Sequence, residues 1–184
     1  MIYKIAPWKW RRDAMRLTQV NGYGLKRRKE PNMNIEIKEV TKETANSILQ
    51  LQVSTKQKAY IESTRQCLTD ALECSHYKPA GLYKDGILIG FAMYGYFPRE
   101  GIGGRVWLDR FFIDEKYQGH SLGSVLLEAL IRHLTALYHC NKIFLSVYEE
   151  NQHALYLFQK FGFVFNGELD INNEKVMVRE SHLH

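Results

Sequence analysis

The residues best suited to chemistry are a glycine-containing turn, Tyr117-Gln118-Gly119-His120-Ser121-Leu122-Gly123-Ser124, and an aspartate, Asp109, inside an apolar run. The run, Val106-Trp107-Leu108-Asp109-Arg110-Phe111-Phe112-Ile113, reads as a strand. The turn then leads into a helix with the apolar stripe Leu122, Val125, Leu126, Leu130, Leu134 and Leu137. Such a junction directs backbone N–H groups and the positive end of a helix dipole at one point, which suits a pyrophosphate. Glycine lets the backbone approach phosphate oxygens with no Cβ in the way. The spacing matches neither GxxxxGK(S/T) nor GxGxxG, so this is not a Walker loop or a dinucleotide fingerprint. The plainer alternative is a connection that merely needs glycine.

Asp109 poses a second question. A carboxylate amid apolar residues is costly unless it is used or paired. Arg105 and Arg110 are its candidate partners, and strand alternation puts Arg110 on the opposite face unless a bulge intervenes. Glu62, Asp70 and Glu73 could add negative potential for a polycation, or could simply be solvated surface acids. Other chemistries find no support. His133 and His139 are six apart, out of phase for two ligands on one helix, so no metal is expected. No Ser/His/Asp or Cys/His pattern suggests covalent catalysis.

The elements around these residues follow from periodicity. Ile35, Ile37 and Val40 read as a first strand. Thr41 is placed to cap a helix through Ile48, Leu49 and Val53. Thr64 to Cys74 puts Cys67, Leu68, Ala71 and Cys74 on one helical face, so both cysteines read as small core residues. Pro79–Tyr83, the turn Lys84-Asp85-Gly86 and Ile87–Phe97 form a hairpin. After the long helix come strand Ile143–Tyr148, helix Gln152–Phe161, and strands Phe163–Asn166 and Val176–Val178. Phe158, Phe161, Phe163 and Phe165 read as core packing. The order β-α-α-β-β-β-α-β-α-β-β is that of a mixed α/β fold with one central sheet.

The 184 residues are 45% hydrophobic and 24% charged, which fits one globular domain and excludes a low-complexity or collagen-like chain. No run reaches the roughly 18 apolar residues of a membrane span. Three cysteines without CxxC spacing argue against a disulfide framework, so the cytoplasm is the expected compartment. The net charge of +5 is uneven: residues 1–32 hold nine Lys/Arg against two acids, while residues 33–184 carry a net −2. Residues 1–32 therefore read as a basic extension, disordered or a start-site artefact, and residues 33–184 as the working domain. His182-Leu183-His184 reads as a frayed end. No nucleic-acid or membrane partner is expected for the domain.

A broader pattern joins these pieces. Gln118-x-x-x-x-Gly123 follows the Leu-Asp-Arg-Phe-Phe-Ile strand, and Asn151-x-x-Ala154 and Phe161-Gly162-Phe163 follow about thirty residues later. This resembles the GCN5-related N-acetyltransferase (GNAT) family, whose members use acetyl-CoA to acylate amines. Tyr60-Ile61-Glu62-Ser63-Thr64, Gly90-Phe91-Ala92-Met93-Tyr94-Gly95, Trp107-Leu108-Asp109-Arg110-Phe111 and Gly167-Glu168-Leu169-Asp170 further resemble the bacterial spermine/spermidine acetyltransferases. The resemblance implies a mostly antiparallel sheet with splayed central strands and flanking helices. It implies acetyl-CoA as co-substrate, a small polycationic amine as acceptor, and direct transfer in a ternary complex; it allows a homodimer. Phe111, Phe112 and Ile113 would face the pantetheine arm. Gln118, Gly119, His120, Ser121, Leu122, Gly123 and Ser124 would hold the pyrophosphate, and Asn151 and Ala154 would lie beside the arm. Asp109 matches the position of the base, and Tyr60 and Glu62 match the first helical region lining the polyamine groove.

Three positions depart from the family pattern. Ser121 stands where glycine is usual, and His120 where lysine is frequent. Phe158 replaces the tyrosine that commonly protonates the departing CoA thiolate. Tyr156 lies about 200° away around the helix and is a poor substitute; Tyr148 or a water could fill the gap. The competing readings are a transferase for another amine (a protein lysine, an α-amino group, an aminoglycoside) and a CoA-binding module with impaired catalysis.

Overall fold

The computed structural model describes residues 33–181; the readings of residues 1–32 and of residues 182–184 lie outside them. In chain order the elements are β1 (Ile35–Glu39), α1 (Ala45–Ile48), α2 (Thr64–Glu73), β2 (Tyr77–Lys84), β3 (Ile87–Phe97) and β4 (Arg105–Ile113). A 3-10 turn (Glu115–Tyr117) follows, then α3 (Leu122–Tyr138), β5 (Lys142–Val147), α4 (Gln152–Lys160), β6 (Val164–Leu169) and β7 (Lys175–Glu180). The strands form one sheet in the order β1-β2-β3-β4-β5-β7-β6. Every junction is antiparallel except β4–β5. This is the mixed α/β architecture that the element order implies.

The β4–β5 junction matters most for function. These parallel strands share the ladder pair Trp107 with Phe144, whose rings lie 5.6 Å apart. Beyond that pair the strands splay, and the main-chain groups of the last residues of β4 are left facing the gap.

A bulge in β4 decides which way its polar residues point. Met93 of β3 pairs with Arg110, but the next residue, Tyr94, pairs with Leu108, so Asp109 is the extra residue. Val106 and Leu108 before the bulge, and Phe111 and Ile113 after it, all pack with the α3 side of the sheet. Phe112 packs with Ile48, Cys67, Phe91 and Met93 on the other side. The extra residue thus lets Asp109 and Arg110 share the α2 face, which strict alternation forbids.

The main core joins α3 and α4 to the sheet. Leu122, Leu126, Leu127, Leu130, Ile131 and Leu134 are its buried α3 residues, each worth about 1.5–3 kcal/mol on full burial. The stripe is rotated from the expected one: Leu127 and Ile131 join it, while Leu137 is exposed. Three further expectations need correction. The first helix is shorter than Thr41–Val53: Ala45 N–H does bond Thr41 O, but α1 ends at Ile48. The chain beyond it is drawn away because Asp114 Oδ2 accepts from Gln52 N–H at 3.0 Å and Gln52 O accepts from Glu115 N–H at 2.8 Å. Cys67 is fully buried, but Cys74 is only half-buried and ends α2. Phe158 and Phe163 pack edge to face in the core, Phe161 lies at its margin, and Phe165 is exposed on the edge strand under Lys175.

Candidate active site

A cavity of about 680 Å³ opens in the splay between β4 and β5. Its floor is the β4 segment Leu108–Ile113, and the opposite wall is Leu145–Tyr148. One end is closed by the turn into α3 and the first residues of α4, the other by the strap between α1 and α2. Of the residues singled out in the sequence, Tyr60, Glu62, Asp109, Phe111, Phe112, Ile113, Gln118, Gly119, Ser121, Leu122, Gly123, Ser124, Asn151 and Ala154 all line it. His120 does not; its ring turns back toward Tyr117 O, 3.4 Å from Nδ1.

At the phosphate end the backbone is built as a cradle. Gly119 has φ +82° and Ser121 φ +57°, both left-handed. Ser121 precedes α3 without its side chain capping the helix, so first-turn amides remain available. Ser124 N–H is the exception, bonding Ser121 O at 3.2 Å. Ser124 Oγ instead accepts from Lys160 Nζ at 3.2 Å, which sets a cation from α4 beside the start of α3. A cradle of small residues with free amides and one ammonium fits a phosphate-bearing ligand. The Gln118 side chain serves the frame: Nε2 donates to Ile113 O and to Gln57 Oε1, both at 2.8 Å. Asn151 caps α4, its Oδ1 accepting from Ala154 N–H at 3.3 Å.

The acceptor end is polar and acidic. Tyr60 and Glu62 sit on the strap, which is irregular and not the helical region that the resemblance implies. The strap is pinned by Gln118 to Gln57 and by the buried Asp114 to Gln52. Tyr60 and Tyr148 face one another with ring centroids 6.1 Å apart. Asp109 is ion-paired to Arg110, Oδ2 to Nη1 at 2.5 Å, and Arg110 Nε lies 2.5 Å from Glu62 Oε2. The expectation that alternation separates Asp109 from Arg110 is therefore overturned by the bulge. Arg105 is engaged elsewhere, in a two-pronged pair with Glu168. Burial pushes the Asp109 carboxyl up to about 6, against the Arg110 charge that favours ionisation.

Glu174 and Lys160 escaped the sequence reading. Glu174, at the start of the β7 hairpin arm, lines the cavity half-buried. Its carboxyl is raised above the ordinary range first by burial and then by the Asp170 charge. Lys175 beside it pairs with Glu149 instead. Only the antiparallel pairing of Val147 with Lys175 brings this part of the chain to the β5 wall. Lys160 lies 36 residues from Ser124 and carries no local signal.

The family model described as "Acetyltransferase (GNAT) family" matches residues 45–163. The chain belongs to the GNAT acetyltransferase family. The spermine/spermidine N(1)-acetyltransferase of Bacillus subtilis (strain 168) is 60% identical over 151 residues, covering 80% of this chain and 99% of that protein. Among solved structures, the PaiA N-acetyltransferase of Thermoplasma acidophilum in complex with coenzyme A superposes with a TM-score of 0.60 at 17% identity, over 80% of this chain and 99% of that one. The spermidine N-acetyltransferase of Vibrio cholerae in complex with CoA and spermine gives 0.59 at 18%, over 78% and 92%. At those identities the structures speak for the fold alone. Among the described residues no helix is long and apolar enough to cross a membrane.

As a GNAT protein the chain is an acetyltransferase, and the conformation of Ser121 in its turn is open to test. Ser121 adopts the left-handed conformation that glycine takes at no steric cost. Ser121→Gly is expected to raise unfolding stability by about 1 kcal/mol, measured by chemical denaturation. An unchanged or lower stability would mean that the serine side chain compensates its own strain.

Proposed function

We propose that this enzyme transfers the acetyl group of acetyl-CoA to a primary amine of a polyamine such as spermine or spermidine, directly and within a ternary complex. The observation that carries this reading is Asp109 on the cavity wall, between a phosphate cradle at one end and a carboxylate-lined pocket at the other. The 60% identical relative, named for spermine and spermidine, supports the choice of acceptor. The chemistry follows from the charges. A primary alkylamine is a cation at neutral pH, as lysine is with its pKa near 10.4, and cannot attack until it loses a proton. Ionised Asp109 attracts that cation and accepts its proton, directly or through a water. The nitrogen lone pair then forms the C–N bond, the C–S bond breaks with its electron pair leaving on sulfur as thiolate, and the acylated nitrogen gives up its second proton to solvent or to that thiolate. Asp109 afterwards returns its proton to solvent or to sulfur.

The thiolate needs no dedicated acid in this scheme, because a thiol pKa near 8.5 makes it a tolerable leaving group. Phe158 stays in the core beside Phe163. Tyr148 is a poor donor: its phenol is pushed above the ordinary range, first by the nearby Glu174 charge, and it is hydrogen-bonded to that carboxylate.

On the cofactor side, Phe111–Ile113 offer main-chain groups to the pantetheine arm, with Asn151 and Ala154 alongside, while the amides from Gly119 to Gly123 receive the phosphates. Lys160 supplies the charge that His120 does not. Lys160→Met is expected to weaken CoA binding about tenfold, the scale of one lost charge-assisted hydrogen bond, read by calorimetry; unaltered affinity would remove Lys160 from the cofactor site. On the acceptor side, Tyr60 and Tyr148 flank the methylenes and Glu174 receives a second ammonium. Glu62 shares that wall but is already ion-paired to Arg110.

Residues 33–184 are the proposed catalytic unit, supported by a relative almost wholly covered by 80% of this chain. Unpaired cysteines suit a cytoplasmic setting. A homodimer would be seated on the exposed β6 edge, where Val164, Phe165 and Leu169 face solvent. The test of the reading is a competition among spermine, a lysine peptide and an aminoglycoside for one pool of acetyl-CoA, with products weighed by mass spectrometry. Acetylspermine should dominate. Preferential acetylation of either competitor would reassign the acceptor.

A further inference from the structure

We propose that Arg110 is a positioning residue: braced by Glu62 from the strap, its guanidinium holds the Asp109 carboxylate in place and ionised, and Glu62 serves that brace instead of binding the acceptor. The inference rests on Asp109 being the base. The bulge makes it possible, because it sets two consecutive residues of one strand on one face. Arg110 Nη1 reaches both Oδ2 of Asp109, at 2.5 Å, and the Asp109 carbonyl oxygen, at 3.2 Å. The same side chain is therefore tied to the carboxylate and to the bulge that presents it. Nε, buried and without a directed hydrogen bond, lies against Glu62 Oε2.

The surroundings explain why such a brace is needed. Glu62 faces Asp109 from the strap, Cys67 and Asp70 from α2, and Tyr77 from β2, while Glu174 faces Arg110 from the β7 side. All of these are acidic or neutral. Burial and like charges push the Asp109 pKa up, and among these groups Arg110 alone opposes them. Asp109, Glu62 and Arg110 by themselves carry a net charge of −1, and Asp70 and Glu174 add negative charge around them, so the cluster attracts an ammonium.

The test is the pH dependence of kcat/KM for a single amine, with the full chain and saturating acetyl-CoA. Activity needs Asp109 ionised, so the acid limb marks its pKa in the acetyl-CoA complex before the amine binds. Arg110→Gln should move that limb upward by about one pH unit or more, with activity recovering at higher pH. Arg110→Lys should leave the limb near its parent position. Because Arg110→Gln strands two acids, the double variant Arg110→Gln/Glu62→Gln, checked for folding by thermal melting, should show an upward shift as well, smaller because the Glu62 charge that also raises the Asp109 pKa is gone. A purely structural arginine would lower activity at every pH with the limb unmoved, and that result overturns the proposal. Glu62→Gln should lower kcat/KM for spermine and for a monoamine by one common factor; a loss confined to spermine would make Glu62 an acceptor ligand and overturn its assignment as a brace. If Asp109→Asn stays active, the base reading itself fails. If Asp109→Asn is inactive while the limb of Arg110→Gln is unmoved, the positioning role alone fails.

Discussion

Asp109→Asn lowers kcat/KM for spermidine by about 10²–10⁴-fold, the range that a positioned general base supplies, and leaves CoA affinity at the parent value. The split follows from the site. Asp109 lines the cavity from the β4 bulge where the sheet splays, whereas the Gly119–Ser124 cradle and Lys160 form its end at the start of α3. Asparagine keeps the shape and can still be held by Arg110, but it has no charge to draw in an ammonium and no basicity to take its proton. The loss should persist at high acceptor concentration, because the proton must leave before the nitrogen can attack. It should shrink at strongly alkaline pH, where the free amine appears in solution. A variant that also lost CoA binding would point to collapse of the bulge, and a fully active variant would take Asp109 out of the chemistry.

Glu174→Gln is expected to raise KM for spermidine about tenfold and leave kcat/KM for a simple monoamine unaltered. Glu174 is half-buried beside Asp170, and burial and that charge raise its pKa more than the Ser146 hydrogen bond and the Arg110 charge lower it, so its ionised form is costly in the resting enzyme. A second ammonium would relieve that cost. At an effective dielectric near 20, two charges about 4 Å apart attract by roughly 4 kcal/mol. Desolvation of both offsets much of this, and a net of about 1.4 kcal/mol corresponds to a factor of ten. The monoamine is the control, since it has no second charge to place. Equal losses for both amines would mean that Glu174 supports the wall without reading the acceptor.

The sequence carried most of the fold because the fold rests on short-range pattern. The boundaries of β3 match what alternation predicts, while the turn before it is the two residues Asp85-Gly86, one shorter than expected because Lys84 still pairs with Ile87. The α3 helix and the glycine turn before it are likewise where the periodicity puts them. What was illegible came from distant partners. A period-two reading cannot show the bulge and so puts Arg110 on the face opposite Asp109, although the two are ion-paired. The end of α1 depends on Asp114, 62 residues from Gln52. Glu174 reaches the site through the β5–β7 pairing and Lys160 through the approach of α4 to α3, and neither pairing can be read from neighbours in the chain. Phe165 looked like core because it continues an aromatic series, but its strand is the edge of the sheet.

The most direct test of the central claim is release of free thiol from acetyl-CoA by the full chain, followed with and without spermine. The account predicts release that depends on spermine, yields acetylspermine in equal amount, and disappears in Asp109→Asn. Release that ignores spermine, or no release despite calorimetric binding of CoA, would contradict it.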